Sequence, residues 1–297
     1  GVAFDIGTTT LAASLVDLTS GREMAVVSRM NPQIVFGDDV LARINHAKSC
    51  AECVAEMRGV LLKEIAGMID ALCAEAQIRR EQIYEAALAG NTTMEHLLCG
   101  IDPGQLGQLP FVAAHARGLL LPARDLGLPI HHRGLAYVFP VIGGFVGGDT
   151  AAGMLATHID EIEQPALMID IGTNGEIVLA HQDRFDAAST AAGPAFEGAR
   201  ISCGMRGAPG AIEKVVLDGD LRMEVIGNTR PVGICGSGLI DLVAELLNRG
   251  IVSPQGRLLP PDELPAGLSP ALRQRVQLDE QGRPVFVLAE KEPGRML

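Results

Sequence analysis

The chain has 297 residues, enough for one large domain or two ordinary ones, and 47% of them are hydrophobic, so a substantial core can form. Twenty-four Lys and Arg stand against 36 Asp and Glu, and the resulting net charge of −12 argues against a nucleic-acid backbone or an anionic membrane as the main partner. With no 18-residue apolar run and no signal peptide, the expected compartment is the cytoplasm, and the six scattered cysteines (Cys50, Cys53, Cys73, Cys99, Cys203, Cys235) read as reduced thiols.

The chain opens on Val2 to Phe4, then Asp5-Ile6-Gly7-Thr8-Thr9-Thr10, then the apolar run Leu11 to Val16, which reads as strand, tight turn, strand. After a turn at Thr19 to Arg22, a third strand around Met24 to Arg29 completes an antiparallel meander. Asp38-Asp39 precedes a periodic stretch from Val40 to Ile44, and Cys53 to Ala76 carries apolar residues at helical spacing for packing on a sheet. A short strand, Tyr84 to Leu88, runs into Ala89-Gly90-Asn91-Thr92-Thr93 and a helical Met94 to Leu98, a unit of the kind that faces ligands. Pro103 to Arg133 is rich in Gly, Pro and Leu without a clean period and reads as irregular connection or a small lobe. Val138 to Ile142 reads as a strand, followed by Gly143 to Thr150 and an Ala-rich helix through Ala156.

About 165 residues after the first copy, the opening phrase returns as Asp170-Ile171-Gly172-Thr173-Asn174-Gly175, flanked by strands at Ala166 to Ile169 and Glu176 to Ala180. A third strand, Phe185 to Ala188, again completes a meander. Gly-dense sequence from Gly193 to Gly210 follows, then strands near Ile212 to Leu217 and Leu221 to Ile226. Gly236-Ser237-Gly238 opens a helix over Leu239 to Arg249, and Pro254 to Pro270 reads as an exposed tail.

Each copy of the repeat puts an acid at a strand end before glycine and small residues whose N–H groups can face a phosphate. An Asp there also hydrogen-bonds its own turn in many proteins, and the repetition is what favours phosphate work. Cys50-Ala51-Glu52-Cys53 lacks the second pair that a zinc or cluster site needs, and the seven histidines show no ligand spacing. Arg206, in a Gly-rich loop, either reaches phosphate or a partner's acidic group or is a solvated loop residue, the second reading being favoured.

Two such hairpins separated by a Gly-rich crossover helix resemble the actin, sugar kinase and Hsp70 ATPase superfamily, known as ASKHA. The resemblance implies an α/β, ribonuclease H-like fold with two duplicated halves around a nucleotide cleft. The halves are then 1–155, with the first phosphate loop and the crossover helix, and 156–297, with the second phosphate loop. One branch is closer in wording: the ATP-dependent reductive activators of corrinoid proteins. The phrases that carry this are Asn31-Pro32-Gln33 with Phe36 to Ile44, Ala89 to Met94, Gly143 to Thr150, Asp170 to Glu176, Gly193 to Gly198 and Gly236 to Gly238.

The resemblance implies ATP and Mg²⁺ as cofactors and a corrinoid (cobalamin-binding) protein as partner, with no nucleic acid or membrane involved; a homodimer stays open. Asp5 and Asp170 would hold a hydrated Mg²⁺ or orient the attacking water, with Gly7, Thr8, Thr9, Thr10, Gly172, Thr173, Asn174 and Gly175 at phosphate oxygens. Asp149 either positions a water or caps the crossover helix with Thr150. Asn91, Gly236, Ser237 and Gly238 either meet nucleotide at helix N-termini or serve packing and capping. A [2Fe–2S] ferredoxin-like domain, implied by the family, has no four-cysteine motif here, and a C-terminal Gly-Gly adenosine loop is not found after Gly238. The chain is therefore expected to be cut at both ends and to bind nucleotide poorly. A small-molecule kinase using Asp149 as base and a non-catalytic actin-like scaffold remain the competing classes.

Overall fold

The computed structural model describes residues 1–172, 174–182, 184–191, 201, 203–292 and 295–296. They group into two compact units: Gly1–Asp170 with Glu176–Thr190, and Ile171–Gly175 with the residues from Ala191 on. The hairpin expected to open the second half thus falls largely within the first unit.

The first unit is built on a six-stranded sheet. Its meander comprises β1 (Val2–Ile6), β2 (Thr10–Asp17) and β3 (Arg22–Met30). Two helices follow, α1 (Val40–Ala47) and α2 (Cys53–Ala76), then β4 (Glu85–Gly90) and α3 (Thr92–Cys99). Next come β5 (Leu119–Pro122), α4 (Ala123–Leu126), β6 (Leu135–Val138) and α5 (Gly148–Thr157). The strand order is β3-β2-β1-β4-β6-β5, with β1, β4 and β6 mutually parallel. Alternation along β1 sends Val2, Phe4 and Ile6 into the core and Ala3 and Asp5 to the opposite face. Against that core face lies the stripe Met57, Leu61, Ile65, Met68, Ile69 and Leu72 of α2, recurring every three or four residues and fully buried. Each such side chain contributes about 1.5–3 kcal/mol on leaving water, so an Ile65→Asp change would remove that and strand a charge in the core.

A separate three-stranded sheet, β7 (Ala166–Ile171), β8 (Asn174–His181) and β9 (Arg184–Ala191), carries the second copy of the repeat. In the second unit β10 (Ala211–Asp218) pairs antiparallel with β11 (Asp220–Val225) and parallel with β12 (Gly233–Ile234). Helix α6 (Gly236–Asn248) packs on β10, and α7 (Pro270–Arg275) leads into the hairpin of β13 (Val276–Leu278) and β14 (Pro284–Phe286). Ile212, Val215, Leu217, Ile234, Leu246 and Ile251 form its core.

Three sequence expectations need correcting. The strand placed at Val138 to Ile142 lies at Leu135–Val138, because Pro140 has no N–H to extend a ladder. The segment 103–133, expected to be irregular connection or a small lobe, supplies β5 to the edge of the main sheet, and α4; β5 is a four-residue strand, too short to show a period. Cys50 and Cys53, expected to be reduced, are joined in a disulfide, since the short loop into α2 brings their Cα atoms to 5.3 Å. Cys73, Cys99, Cys203 and Cys235 are free.

Candidate functional site

The first unit assembles its site at the carboxyl ends of β1 and β4. The β1–β2 turn is closed by Gly7, where a Cβ would lie 2.5 Å from the Thr10 carbonyl oxygen, so no side chain fits without shifting backbone. Around this turn three segments distant in sequence converge. Asn31 donates through Nδ2 to the Gly7 carbonyl at 2.8 Å and through its backbone N–H to the Thr9 carbonyl at 2.9 Å. Arg43 Nη2 donates to the Thr8 carbonyl at 2.5 Å. Asn91 donates through Nδ2 to Thr8 Oγ1 at 2.8 Å, while its Oδ1 caps α3 by accepting from the Met94 N–H at 3.1 Å.

Asp149 lies in the first turn of α5, where its carboxylate accepts from the Thr150 N–H at 2.7 Å. The N-cap itself is Gly147, so Asp149 faces the positive end of the helix from inside the first turn. The Gly147-Gly148 pair is what lets α5 approach: a Cβ on Gly148 would stand 2.0 Å from Glu95 Oε1. Glu95, on α3, is fully buried; its Oε1 accepts from the Gly90 N–H at 3.3 Å, and Oε2 has no partner among the described residues.

The acids form an electrostatically linked group. Asp5 opens to solvent at the floor of a recess and is otherwise enclosed by protein; that partial loss of water, then the charges of Asp149 and Asp170, pushes its pKa up to about 6. Asp149 is raised by burial and by Asp170, against the lowering effect of its own bond to Thr150. Glu176, at the start of β8, is raised to about 7, mainly by burial and further by Asp149 and Asp170, although the Ser189 hydroxyl donates to it at 3.0 Å and works in the opposite direction. Glu95 is pushed up to about 9 by burial and is neutral at physiological pH.

Of the residues anticipated from sequence, the first unit therefore brings together Asp5, Gly7, Thr8, Thr9, Thr10, Asn91, Asp149 and Asp170. Gly172, Asn174 and Gly175 belong to the second unit, where the Gly172 N–H donates to the Asn174 carbonyl at 3.2 Å. Thr173 and the phrase Gly193 to Gly198 lie outside the described residues. In the second unit also, Gly238 allows α6 to pack on β10, because a Cβ there would meet the Ile212 carbonyl oxygen at 2.3 Å; Gly236 begins the helix, and Ser237 Oγ lies 3.3 Å from Cys235 Sγ.

Sequence reading did not assign Asn31, Arg43, Glu95 or Glu176 to the site. Three of them stand inside phrases already singled out, Asn31-Pro32-Gln33, Phe36 to Ile44 and Asp170 to Glu176; Glu95 left only the signal of an acid on an otherwise apolar helix face.

Among the described residues no three His, Cys, Asp or Glu side chains close on one point as a metal cage would. Asp5 and Asp149, both partly removed from water and each raised by a neighbouring carboxylate charge, do fit a divalent ion that keeps most of its waters, which is how Mg²⁺ binds. The free cysteines do not fit an iron–sulfur cluster: Cys73 and Cys235 are buried, and among the described residues no three His, Cys, Asp or Glu side chains gather to hold a metal. No helix among the described residues is long and apolar enough to cross a membrane.

Residues 1–162 match the family described as RACo middle region, and residues 164–292 match the C-terminal ASKHA domain of RACo. The chain is 40% identical over 287 residues to the corrinoid activation enzyme RamQ of Eubacterium limosum, covering 96% of this chain and 48% of that protein. It is 27% identical over 299 residues to the [Co(II) methylated amine-specific corrinoid protein] reductase of Methanosarcina barkeri, covering 87% and 54%. A solved structure, a reductive activator for corrinoid, iron–sulfur protein, matches with a TM-score of 0.84 at 36% identity over 100% of this chain and 46% of that one. The chain thus spans about half the length of the relatives it matches.

Proposed function

The chain belongs to the RACo family, and from that premise we propose that it is the ATP-hydrolysing part of a cytoplasmic enzyme that returns the cobalt of a corrinoid protein from Co(II) to Co(I). The observation that carries this reading is in the first unit, where the charges of Asp149 and Asp170 act on Asp5, and that of Asp170 on Asp149, beside a turn whose threonines are held in place. That arrangement suits phosphoryl transfer, in which the protein positions groups and compensates charge rather than forming bonds. In this reading the N–H groups and hydroxyls of Thr8, Thr9 and Thr10 bind phosphate oxygens, with Gly172, Thr173, Asn174 and Gly175 doing so from the second copy. Asp5 and Asp170 hold Mg²⁺ through water, and the ion supplies charge compensation at the phosphates. Asp149, kept from full solvation in the first turn of the crossover helix α5, orients the attacking water, and Glu176, with a pKa about 7, takes the proton. Asn91 supports Thr8, and Gly236 to Gly238 offer a helix N-terminus to the nucleotide.

The reduction itself takes one electron, Co(II) becoming Co(I). No cysteine described here fits the group that would deliver it, so no electron-transfer step is assigned to these residues. Their part is to couple ATP hydrolysis to a change of state, and a shift of several kcal/mol is within what such coupling moves.

The complete protein, supplied with MgATP, a low-potential electron donor and a Co(II) corrinoid protein, is expected to generate the Co(I) absorbance only when ATP is present. Phosphate release should rise on adding the corrinoid protein. Release that depends instead on a small-molecule acceptor would overturn this reading in favour of a kinase.

A further inference from the structure

We propose that Arg43, together with Asn31, is a positioning residue for nucleotide: it fixes the direction of the N–H groups of the first phosphate loop by holding that loop's carbonyls from behind. This rests on the reading of Gly7 to Thr10 as a phosphate loop. The three successive carbonyls of Gly7, Thr8 and Thr9 accept, in order, from Asn31 Nδ2 at 2.8 Å, Arg43 Nη2 at 2.5 Å and the Asn31 backbone N–H at 2.9 Å. A trans peptide is planar, with the carbonyl of one residue antiparallel to the N–H of the next. Holding carbonyls 7, 8 and 9 therefore fixes the directions of the N–H groups of Thr8, Thr9 and Thr10, each opposite to the carbonyl of its own peptide. Backbone N–H groups of fixed direction are what an anionic phosphate needs, and here they are set before any ligand arrives.

Arg43 is built into this place more firmly than a packing role asks. Its side chain is fully buried, and every hydrogen bond it makes goes to a neutral acceptor: the Gly37 carbonyl at 3.0 Å through Nε, Gln33 Oε1 at 3.3 Å and Met94 Sδ at 3.1 Å through Nη1, and the Thr8 carbonyl. A buried cation is costly, and an apolar residue of similar volume commonly replaces one without loss of stability. The planar fork does something an apolar side chain cannot: it ties α1, the turn at Gly37 and the phosphate loop with donors in fixed relative directions. Asn31 is equally committed, since its Oδ1 accepts from the Gln33 N–H at 2.9 Å while Nδ2 reaches the loop. The phrases Asn31-Pro32-Gln33 and Phe36 to Ile44, which no proposed chemical step uses, thereby acquire a task.

The test is Arg43→Lys in the complete protein, which keeps the charge and loses the fork. Calorimetric titration with MgATP should show affinity at least tenfold weaker. Hydrogen exchange should be faster in a peptide covering residues 1–16 and unchanged in one covering 53–76, a split that a general loss of stability would not produce. If Arg43→Lys does not fold, Asn31→Ser, whose hydroxyl can still cap at Gln33, should weaken MgATP at least threefold with the same exchange pattern. Unchanged affinity in a folded variant, or weaker affinity with unchanged exchange in the loop, overturns the proposal, and so does failure of both variants to fold. Wild-type protein that binds no MgATP sinks the functional reading and this inference with it; wild-type binding with unaffected variants sinks this inference alone.

Discussion

The two copies of the Asp-Ile-Gly-Thr phrase are nearly the same in sequence and differ in what surrounds them. In the first, β1 lies between β2 and β4, and its apolar residues Val2, Phe4 and Ile6 are all buried. In the second, β7 is an edge strand of a three-stranded sheet, and Leu167, Ile169 and Ile171 are each more than half exposed. The turns differ in tightness as well: a Cβ at Gly7 would be 2.5 Å from the Thr10 carbonyl oxygen, whereas among the described residues the nearest atom to one at Gly172 is the Asn174 carbonyl oxygen at 3.2 Å. The short phrase sets a hairpin with an acid at the strand end, and neighbours far away in sequence set how rigidly the turn is held. Around the first copy those neighbours are Asn31, Arg43 and Asn91.

The sharpest way to separate the copies is to neutralise each acid in the complete protein. Asp5→Asn is expected to lower ATP turnover by two orders of magnitude or more, since a carboxylate facing a metal ion or attacking water contributes on that scale. Asp170→Asn should fall as far if both copies serve one site. Equal, unimpaired turnover in both variants would return the acids to a role within their own turns. In the unmutated protein, kcat/KM should decline as pH falls through about 6, where Asp5 takes up its proton. An acid limb centred near 4 would show that Asp5 is not the controlling group.

Behind the first copy sits the buried acid Glu95, and its expected effect is on stability. Its pKa is raised from 4.5 to about 9, so between those pH values the folded chain keeps a proton that the unfolded chain releases. Stability contributed by the neutral acid is complete below pH 4.5 and is lost as pH rises towards 9. Glu95→Gln stays neutral throughout and its Oε1 can still accept from Gly90, so the variant should be the more stable by on the order of 2–4 kcal/mol at pH 8. Urea titrations at pH 8 and pH 4.5 would show the gain at the first and its disappearance at the second. A gain that does not depend on pH would mean that Glu95 is ionised in the folded state.

Much of this arrangement was legible in sequence because it is local. The helix Cys53 to Ala76 has a period that only a helix satisfies, and the repeated phrase announces its hairpins through glycine and alternation. Asp5, Thr8 and Asn91 were likewise visible as small polar residues at strand and helix ends. What stayed hidden depends on contacts across the chain. Arg43 reads in sequence as one more polar residue on a short helix, and only the fold brings its guanidinium to the Thr8 carbonyl, 35 residues away. Glu176 ends a phrase that was recognised, yet its raised pKa arises from burial and from Asp149 and Asp170 together, which no spacing encodes. The edge strand Leu119–Pro122 was missed for the same reason, since pairing with β6 rather than any period of its own makes it a strand.

The smallest effect tests the difference in tightness itself. Gly7→Ala forces a methyl group against the Thr10 carbonyl oxygen, a backbone atom that can move only by opening the turn. Overpacking of this kind costs about 1–3 kcal/mol, and here the displacement would fall on the carbonyls held by Asn31 and Arg43. At Gly172 the same methyl group needs a shift of only a few tenths of an ångström by the Asn174 carbonyl, so Gly172→Ala should cost less than about 1 kcal/mol. Chemical denaturation of the two variants side by side measures both. If the costs come out equal, the first turn is not held more rigidly than the second, and the contrast between the copies reduces to the difference in burial of β1 and β7.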